Sequence, residues 1–372
     1  MSEVRPFQLL IKPVGADCNL RCSYCFYLRA HELYQQRGPH CMSDEVLETM
    51  ISKYMGLRFP ESVFAWQGGE PTMAGVDFFR KVVALEQKYG VSGQTVGNGF
   101  QTNGVLIDAD WCKLFQEYKF LVGLSMDGPE EVHNAMRRNA AGRGSWDKAM
   151  AAARLMDEYH IEYNILCVVH AGNVGMGADL VRWFVGQGLR YLQFIPCVEP
   201  GLEHNVSAAA YGDFLCDVFD YWARAGFNKV SIRDFDALIA ARLGQTPMCT
   251  YGRVCNHYVV VEHTGDVYPC DFFVYDEWKL GNVLEAPIES FIASEKYKEF
   301  SYRKHKVPAC RHCIFRAQCY GGCQKDRLAT GAVTDPTPLC DAYKRFFAHA
   351  MPRLNTLAKQ VQRHAQQPGS RG

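Results

Sequence analysis

The chain has 372 residues, and its 40 Lys+Arg balance 40 Asp+Glu. That length allows about two domains, and the even charge points to neither nucleic acid nor an anionic membrane as partner. The first seventeen residues hold one short apolar stretch, Leu9 to Ile11 with Phe7 nearby, too short for a secretory segment. No run approaches a membrane span. Sixteen cysteines without an export signal fit a cytoplasmic protein with reduced, metal-ligating thiols better than a disulfide framework.

In chain order, the apolar run FQLLIKP leads into CNLRCSYCFY, where Cys18, Cys22 and Cys25 form a CxxxCxxC followed by Phe26 and Tyr27. Three thiolates on one loop hold three irons of a [4Fe-4S] cube and leave the fourth open to a substrate or cofactor, whereas a structural site is normally closed. Further short apolar runs end in polar or glycine-rich clusters: SVFAW then QGGEP, TVGNGF then QTNG, FLVGLS then MDGP, and later YNILCVV and YLQFIP. Helical patterns alternate with them, in DEVLETMISKYM, VDFFRKVVALEQKYG, DADWCKLFQEY, SWDKAMAAARLMDEY and GADLVRWFVGQG.

This alternation predicts an α/β fold with a parallel sheet, about six strand-helix units between residues 7 and 200. A partial (β/α)6 TIM-like barrel over residues 1–234 would gather the cysteine loop, QGGEP, QTNG and SMDG at the mouth formed by the strand C-termini.

From about Phe235 the composition changes. VVVEHTGDVYPCDFF reads as two short strands about a Gly-Asp turn, and residues 310–340 read as cysteine-punctuated coil. Residues 235–345 are expected to form a small domain with little apolar core that needs metal to fold. Residues 346–372 close the chain, with a helix over 341–366 kinked or restarted at Pro352 and a disordered tail, QQPGSRG. Cys41, Cys112, Cys167, Cys197 and Cys216 stand outside both cysteine sets, mostly in apolar or helical contexts, and read as small hydrophobes.

These residues resemble a known family. The CxxxCxxC with its aromatics, GGEP, QTNG and SMDG is similar to the radical S-adenosylmethionine superfamily. The array Cys255, Gly265xxxxCys270, Cys310xxCys313xxxxxCys319xxxCys323 and Cys340 resembles the SPASM extension with two auxiliary clusters. LIKP, CFY, QGGEPT, FLVGLSMDGP, LQFI, VSIR, GDVYPCDF and YGGC resemble the anaerobic sulfatase-maturating enzymes, over about residues 8–355.

The resemblance implies three [4Fe-4S] clusters and S-adenosyl-L-methionine as cofactors. Cys18, Cys22 and Cys25 would hold the cleaving cluster. Gly68, Gly69 and Glu70 would receive the methionine amine, the glycines for close backbone approach and Glu70 as anionic acceptor. Ser125 and Arg137 are candidates for the carboxylate and ribose side, although Arg137 reads equally as a solvated charge at a helix start. One auxiliary cluster would take Cys249, Cys255, Cys270 and Cys323, the other Cys310, Cys313, Cys319 and Cys340. Four thiolates each close both sites, which suits electron transfer; taken without the N-terminal triplet, two structural zinc sites stay open as an alternative.

Asp271, beside Cys270, is the candidate general base, and a turn or cap residue after the ligand is its plain alternative. Model-compound values of ~8.5 for a thiol and ~3.9 for an aspartate make the proton transfer uphill by roughly 6 kcal/mol. Burial beside a thiolate-ligated cluster, with proton loss coupled to oxidation, is expected to close that gap. Tyr27, Gln67 and Gln101 would position the residue being oxidised, or serve as buried hydrogen-bond partners.

The implied reaction is anaerobic oxidation of a cysteine or serine in an unfolded or nascent sulfatase polypeptide, a CxPxR or SxPxR segment, to Cα-formylglycine. A flavodoxin or ferredoxin would donate electrons. Another SPASM peptide maturase, making a thioether, cyclised or epimerised product, is the nearer competitor; such enzymes often carry an N-terminal peptide-reading domain, and seventeen residues before Cys18 leave no room for one. A non-enzymatic iron-sulfur or zinc protein is the more distant competitor, with no use for an open iron.

Overall fold

The computed structural model describes residues 5–30, 39–225, 229–245 and 248–366; residues 367–372 of the tail expected to be disordered lie outside them. Ten strands form among the described residues: β1 (Gln8–Ile11), β2 (Glu61–Trp66), β3 (Thr95–Thr102), β4 (Leu121–Ser125), β5 (Tyr163–Val169), β6 (Tyr191–Pro196), β7 (Ser231–Ile232), β8 (Tyr258–Val261), β9 (Asp266–Tyr268) and β10 (Gly281–Asn282). The first six coincide with the apolar runs read from the sequence. The chain divides into two compact units, Met1–Ile165 with Asn256–Ser301, and Leu166–Cys255 with Tyr302–Gly372.

In the first unit the strand order is β10-β9-β8-β1-β2-β3-β4. β1, β2, β3 and β4 pair in parallel, and β8 pairs in parallel with the other edge of β1. The loops that follow these strands therefore leave from one edge of the sheet. Its helices start where the sequence places caps: Ser43 Oγ accepts the Val46 N–H at 3.3 Å ahead of the helix Asp44–Met55, and Asp108 Oδ1 accepts from Asp110 and Trp111 ahead of Ala109–Glu117, each worth ~1 kcal/mol. An aromatic row, Trp66, Phe79, Phe100, Trp111 and Phe115, fills the space between sheet and helices with centroids 4.9–5.6 Å apart. Such side chains contribute ~2–3 kcal/mol each on burial, so this row fixes the sheet under the loops.

The compact units cut the chain differently from the expected boundaries at 234 and 345. Neither half of the cysteine-rich stretch forms a unit of its own. Residues 256–301 join the first unit because β8 needs the free edge of β1, and the β8–β9 hairpin expected around the Gly-Asp turn is antiparallel. Residues 302–366 join the second unit, where the helix Cys340–Gln366 runs through Pro352 without a break and lays Phe346 against Phe219 and Phe235. Gly212, on the helix Ala208–Ala225, permits that packing, since a Cβ there would lie 3.2 Å from the Ala342 Cα. No described helix is long and apolar enough to cross a membrane. Of the five cysteines outside both sets, Cys112, Cys167 and Cys197 are buried and Cys216 is half-buried, but Cys41 is exposed.

One buried polar group sits inside the aromatic core. Trp66 Nε1 donates to Asn98 Oδ1 at 2.8 Å, and Asn98 Nδ2 donates to Glu86 Oε2 at 2.9 Å. Burial pushes the Glu86 carboxyl up to about 8, against the Asn98 hydrogen bond. Because the unfolded chain ionises near ~4.5 and the folded chain only near 8, stability is complete below the first value and falls as pH rises to the second. At ~1.4 kcal/mol per pH unit the loss has a ceiling of ~5 kcal/mol. A Glu86→Gln variant is therefore expected to show a flatter melting temperature between pH 5 and 8.5 than the parent chain; parallel curves would refute the assignment.

Candidate active site

Three strand ends grip the cysteine loop. After β2, Gly69 N donates to Gly15 O at 2.9 Å and Glu70 N to Asp17 O at 2.7 Å. After β3, Asn103 Nδ2 reaches Cys18 Sγ at 3.7 Å and Asn19 Oδ1 at 2.7 Å. Beyond β4, Arg138 O accepts from Arg21 N at 2.6 Å and Met136 O from Ser23 N at 3.0 Å. The expected gathering of the cysteine loop, QGGEP, QTNG and SMDG is present within the first unit.

Gly68 and Gly69 have a role the sequence reading did not give them. A Cβ on Gly69 would lie 1.9 Å from Asp17 O, and one on Gly68, at φ +116°, 2.5 Å from Gly15 O. The close approach these glycines allow is that of the strap to the backbone leading into Cys18. Glu70 is buried. Its Oε1 accepts from Thr72 N at 3.1 Å, Thr72 Oγ1 at 2.6 Å and Thr102 Oγ1 at 2.8 Å, and its Oε2 accepts from Asn103 N at 2.7 Å. Burial raises its pKa, and these donors oppose the rise. Thr102 and Asn103 were missed as individuals, although the QTNG motif pointed at their loop.

Arg137 is 7% exposed and follows the helix Glu130–Met136, so the reading of a solvated charge at a helix start is overturned. Its guanidinium forks onto Asp127, Nε to Oδ2 at 3.0 Å and Nη2 to Oδ1 at 3.2 Å, while Tyr24 Oη donates to Oδ2 at 2.5 Å. Burial opposes ionisation of Asp127, but Arg137 and His133 outweigh it and hold the carboxyl below its ordinary range. Both members of this pair act on the Cys22 thiol, Arg137 favouring the thiolate and Asp127 opposing it. Ser125 Oγ accepts from Gln101 Nε2 at 3.0 Å, so Gln101 joins Ser125.

The other two positioning candidates converge on Asp271. Tyr27 Oη donates to Asp271 Oδ2 at 2.5 Å and Gln67 Nε2 donates to the same oxygen at 2.9 Å. Lys12 completes the group: its ammonium, wholly buried, lies 2.8 Å from Asp271 Oδ1, 2.9 Å from Glu262 Oε1 and 5.0 Å from the Tyr27 ring centroid. Burial lowers the proton affinity of Lys12, but the Asp271 and Glu262 carboxylates outweigh it and raise its pKa. Asp271 therefore has a buried cation as its electrostatic neighbour, beside the cluster expected from the sequence. Lys12 stood in the motif LIKP without a role; a lysine closing an apolar strand was the available signal.

The donor set of the loop suits an iron-sulfur cube. Burial pushes the Cys18 and Cys25 thiols up to about 12, and raises Cys22 while Arg137 opposes it. Such thiols stay neutral until a metal supplies the compensating charge. In the second unit Cys310, Cys313, Cys319 and Cys340 line one cavity of ≈ 80 Å³, where a single water needs only ~10–15 Å³, so there is room for a multi-atom group among four sulfurs. Among the described residues no three His, Cys, Asp or Glu side chains converge on a single metal ion. Cys249, Cys255 and Cys323 share the surroundings of Lys304 in the same unit. Cys270 lies in the first unit, its Sγ 3.4 Å from Tyr258 Oη.

A family model for the radical SAM superfamily matches residues 13–179, and one for the SPASM iron-sulfur cluster-binding domain matches residues 249–314. The cysteine-type anaerobic sulfatase-maturating enzyme of Clostridium perfringens (strain ATCC 13124) is 38% identical, with 96% of this chain and 99% of that protein covered. The serine-type enzyme of Bacteroides thetaiotaomicron is 36% identical, with 96% and 92% covered. The structure of native anSMEcpe with bound AdoMet and Cp18Cys peptide matches with a TM-score of 0.89 at 38% identity, over 96% of this chain and 100% of that one. Streptococcus suis SuiB, at 16% identity and a TM-score of 0.64, shares the fold. Identities of 36–38% over 96% of the chain go well beyond a shared fold, and the chain belongs to the anaerobic sulfatase-maturating enzymes, radical S-adenosylmethionine proteins with a SPASM iron-sulfur domain.

Proposed function

We propose that the chain oxidises a cysteine or serine in a sulfatase segment to Cα-formylglycine, with Asp271 as the base that takes the thiol or hydroxyl proton. The observation that carries the assignment is the convergence of Lys12, Tyr27 and Gln67 on one buried carboxylate. Clusters held by Cys18, Cys22 and Cys25 and by the cysteine array, with S-adenosylmethionine, would supply the one-electron chemistry and the radical that takes hydrogen from Cβ. Glu70 Oε2, which takes a single protein donor, retains acceptor capacity for the methionine amine. Ser125 and Arg137 serve the carboxylate and ribose side.

Asp271 is held on both oxygens, so its orientation is set before substrate arrives. Tyr27 and Gln67 donate to Oδ2, and Lys12 balances charge at Oδ1. The target thiol or hydroxyl would take over hydrogen bonds that Tyr27 and Gln67 make, and its proton passes to the carboxylate. The peptide bound in the similar anSMEcpe structure supports a peptide substrate, here an unfolded or nascent sulfatase with a CxPxR or SxPxR segment. A flavodoxin or ferredoxin donates the electrons, and the protein works in the cytoplasm.

Mass spectrometry of CxPxR and SxPxR peptides after anaerobic incubation with the reconstituted protein tests the reaction, with conversion to aldehyde as the expected result. Asp271→Asn is expected to keep making 5′-deoxyadenosine while losing aldehyde product. Undiminished formylglycine in that variant removes the base assignment.

A further inference from the structure

Two cations buried in the second unit have no carboxylate oxygen at ion-pairing distance among the described residues. Lys304 is 1% exposed and Arg327 is 0% exposed. Lys304 Nζ donates to Cys249 O at 2.8 Å and Thr250 O at 2.7 Å. Among the described residues Arg327 donates only to carbonyls: Nε and Nη2 to Gly321 O at 3.2 and 2.8 Å, Nη2 to Lys304 O at 3.3 Å, and Nη1 to Val333 O at 3.1 Å. Carbonyl oxygens satisfy the N–H groups, but they bring no net charge to set against an ion taken out of water. That imbalance ordinarily costs several kcal/mol per ion. The nearby acid, Asp326, lies 3.9 Å from Lys325; burial pushes its carboxyl up to about 6, against the opposing charges of Lys325, Arg327 and Lys304, so it is shared among three cations.

Cysteine sulfurs act on both cations, and the Asp326 carboxylate is the further opposite charge near them, acting on Arg327 and feeling both Arg327 and Lys304. Cys255 and Cys323 act on Lys304 and on Arg327 alike, Cys249 acts on Lys304, and Cys310 acts on Arg327. Gly321 shows how close the last pair is: a Cβ there would lie 2.5 Å from Arg327 Nη2 and 3.5 Å from Cys310 Sγ. Arg327 thus stands beside Cys310 of one expected set and feels the charge of Cys255 and Cys323 of the other. A cube held by four thiolates carries a net charge of about −2, and its potential responds to the charge around it.

We propose that Lys304 and Arg327 are the built-in counter-ions of the cysteine array, stabilising the thiolate-ligated clusters and holding their reduction potentials up so that they accept the electron released in substrate oxidation. The proposal rests on reading the array as iron-sulfur, and the two fail in different measurements. Iron and sulfide per chain test the array in a Cys18→Ala, Cys22→Ala, Cys25→Ala background, where the remaining signals belong to the array; a parent without iron and sulfide refutes the cluster reading and this proposal with it.

In that background, redox titration followed by electron paramagnetic resonance compares Arg327→Gln, Arg327→Lys and Lys304→Gln. The Gln variants are expected to shift an auxiliary reduction equilibrium about tenfold toward the oxidised form, ~59 mV for one electron, and Arg327→Lys is expected to restore the parent value. Unchanged potentials in both Gln variants overturn the proposal, as does a Lys variant that falls as far as Gln. Should Arg327→Gln fail to take up iron, loading of Arg327→Lys supports the requirement for charge, and failure of both overturns it.

Discussion

A Gly69→Ala variant is expected to lose soluble protein, or to fold without iron at the N-terminal site. The added Cβ would lie 1.9 Å from the Asp17 carbonyl oxygen, 2.4 Å from its carbon and 2.6 Å from the Ala16 carbonyl carbon. All three are backbone atoms, so no rotamer change relieves the clash. Either the strap lifts, breaking Gly69 N to Gly15 O and Glu70 N to Asp17 O, or the loop carrying Cys18 moves off its supports. Ordinary overpacking of a core costs ~1–3 kcal/mol, and this contact has no soft side. Gly97→Ala is the control: it sits in β3 with its nearest neighbour, Val63 Cγ2, 3.8 Å from the added carbon. Soluble yield, melting temperature and iron content read the pair. A Gly69→Ala chain that melts with the parent and loads iron would show that the strap is not clamped.

Lys12→Met is expected to destabilise the first unit by ~3–5 kcal/mol, the usual cost of stripping a buried ion of its partner, and to abolish turnover with it. The substitution leaves Glu262 and Asp271 buried without the ammonium that lies within 2.9 Å of each. Acid unfolding provides the sign test. Burial favours the neutral form of Glu262, but Lys12 and His263 outweigh it and hold the carboxyl at about 2. Its contribution is therefore present above the unfolded value of ~4.5 and disappears as pH falls through 2, about 3 kcal/mol in all. Urea midpoints at pH 7 and pH 3 should differ less in Lys12→Met than in the parent. Adding Glu262→Gln should recover part of the stability at pH 7. Equal stability of Lys12→Met and the parent at pH 7 would mean that the ammonium is not the partner of this pair.

Local patterns carried the strands and helices. DEVLETMISKYM begins and ends where the helix Asp44–Met55 does, and YNILCVV is β5 from end to end. Cysteine spacing marked the N-terminal triplet, whereas the two sets of four rest on the family resemblance. What the sequence concealed was pairing across long distances. YVVV announced a strand, but nothing in it says that its second edge pairs in parallel with β1, because register between remote strands leaves no local composition. Lys12 was opaque for the same reason: both of its carboxylates lie some 250 residues further on. Arg137 misled because a charge followed by Arg138 and Asn139 at a helix end looks solvated, while Asp127, ten residues earlier, draws it inward.

The position of β1 has a consequence for biosynthesis. Its backbone bonds to β2 on one side, and on the other Gln8 N reaches His257 O and Lys12 N reaches Val261 O. A ribosome adding roughly 5–20 residues per second makes that second side only ~12–50 s after the first strand has emerged. Throughout that interval the growing polypeptide holds an apolar strand with one unmet edge, a template for wrong partners. Translation that stalls before β8 is made therefore leaves a fragment primed to aggregate, so the enzyme depends on finishing its chain before its first strand is secure.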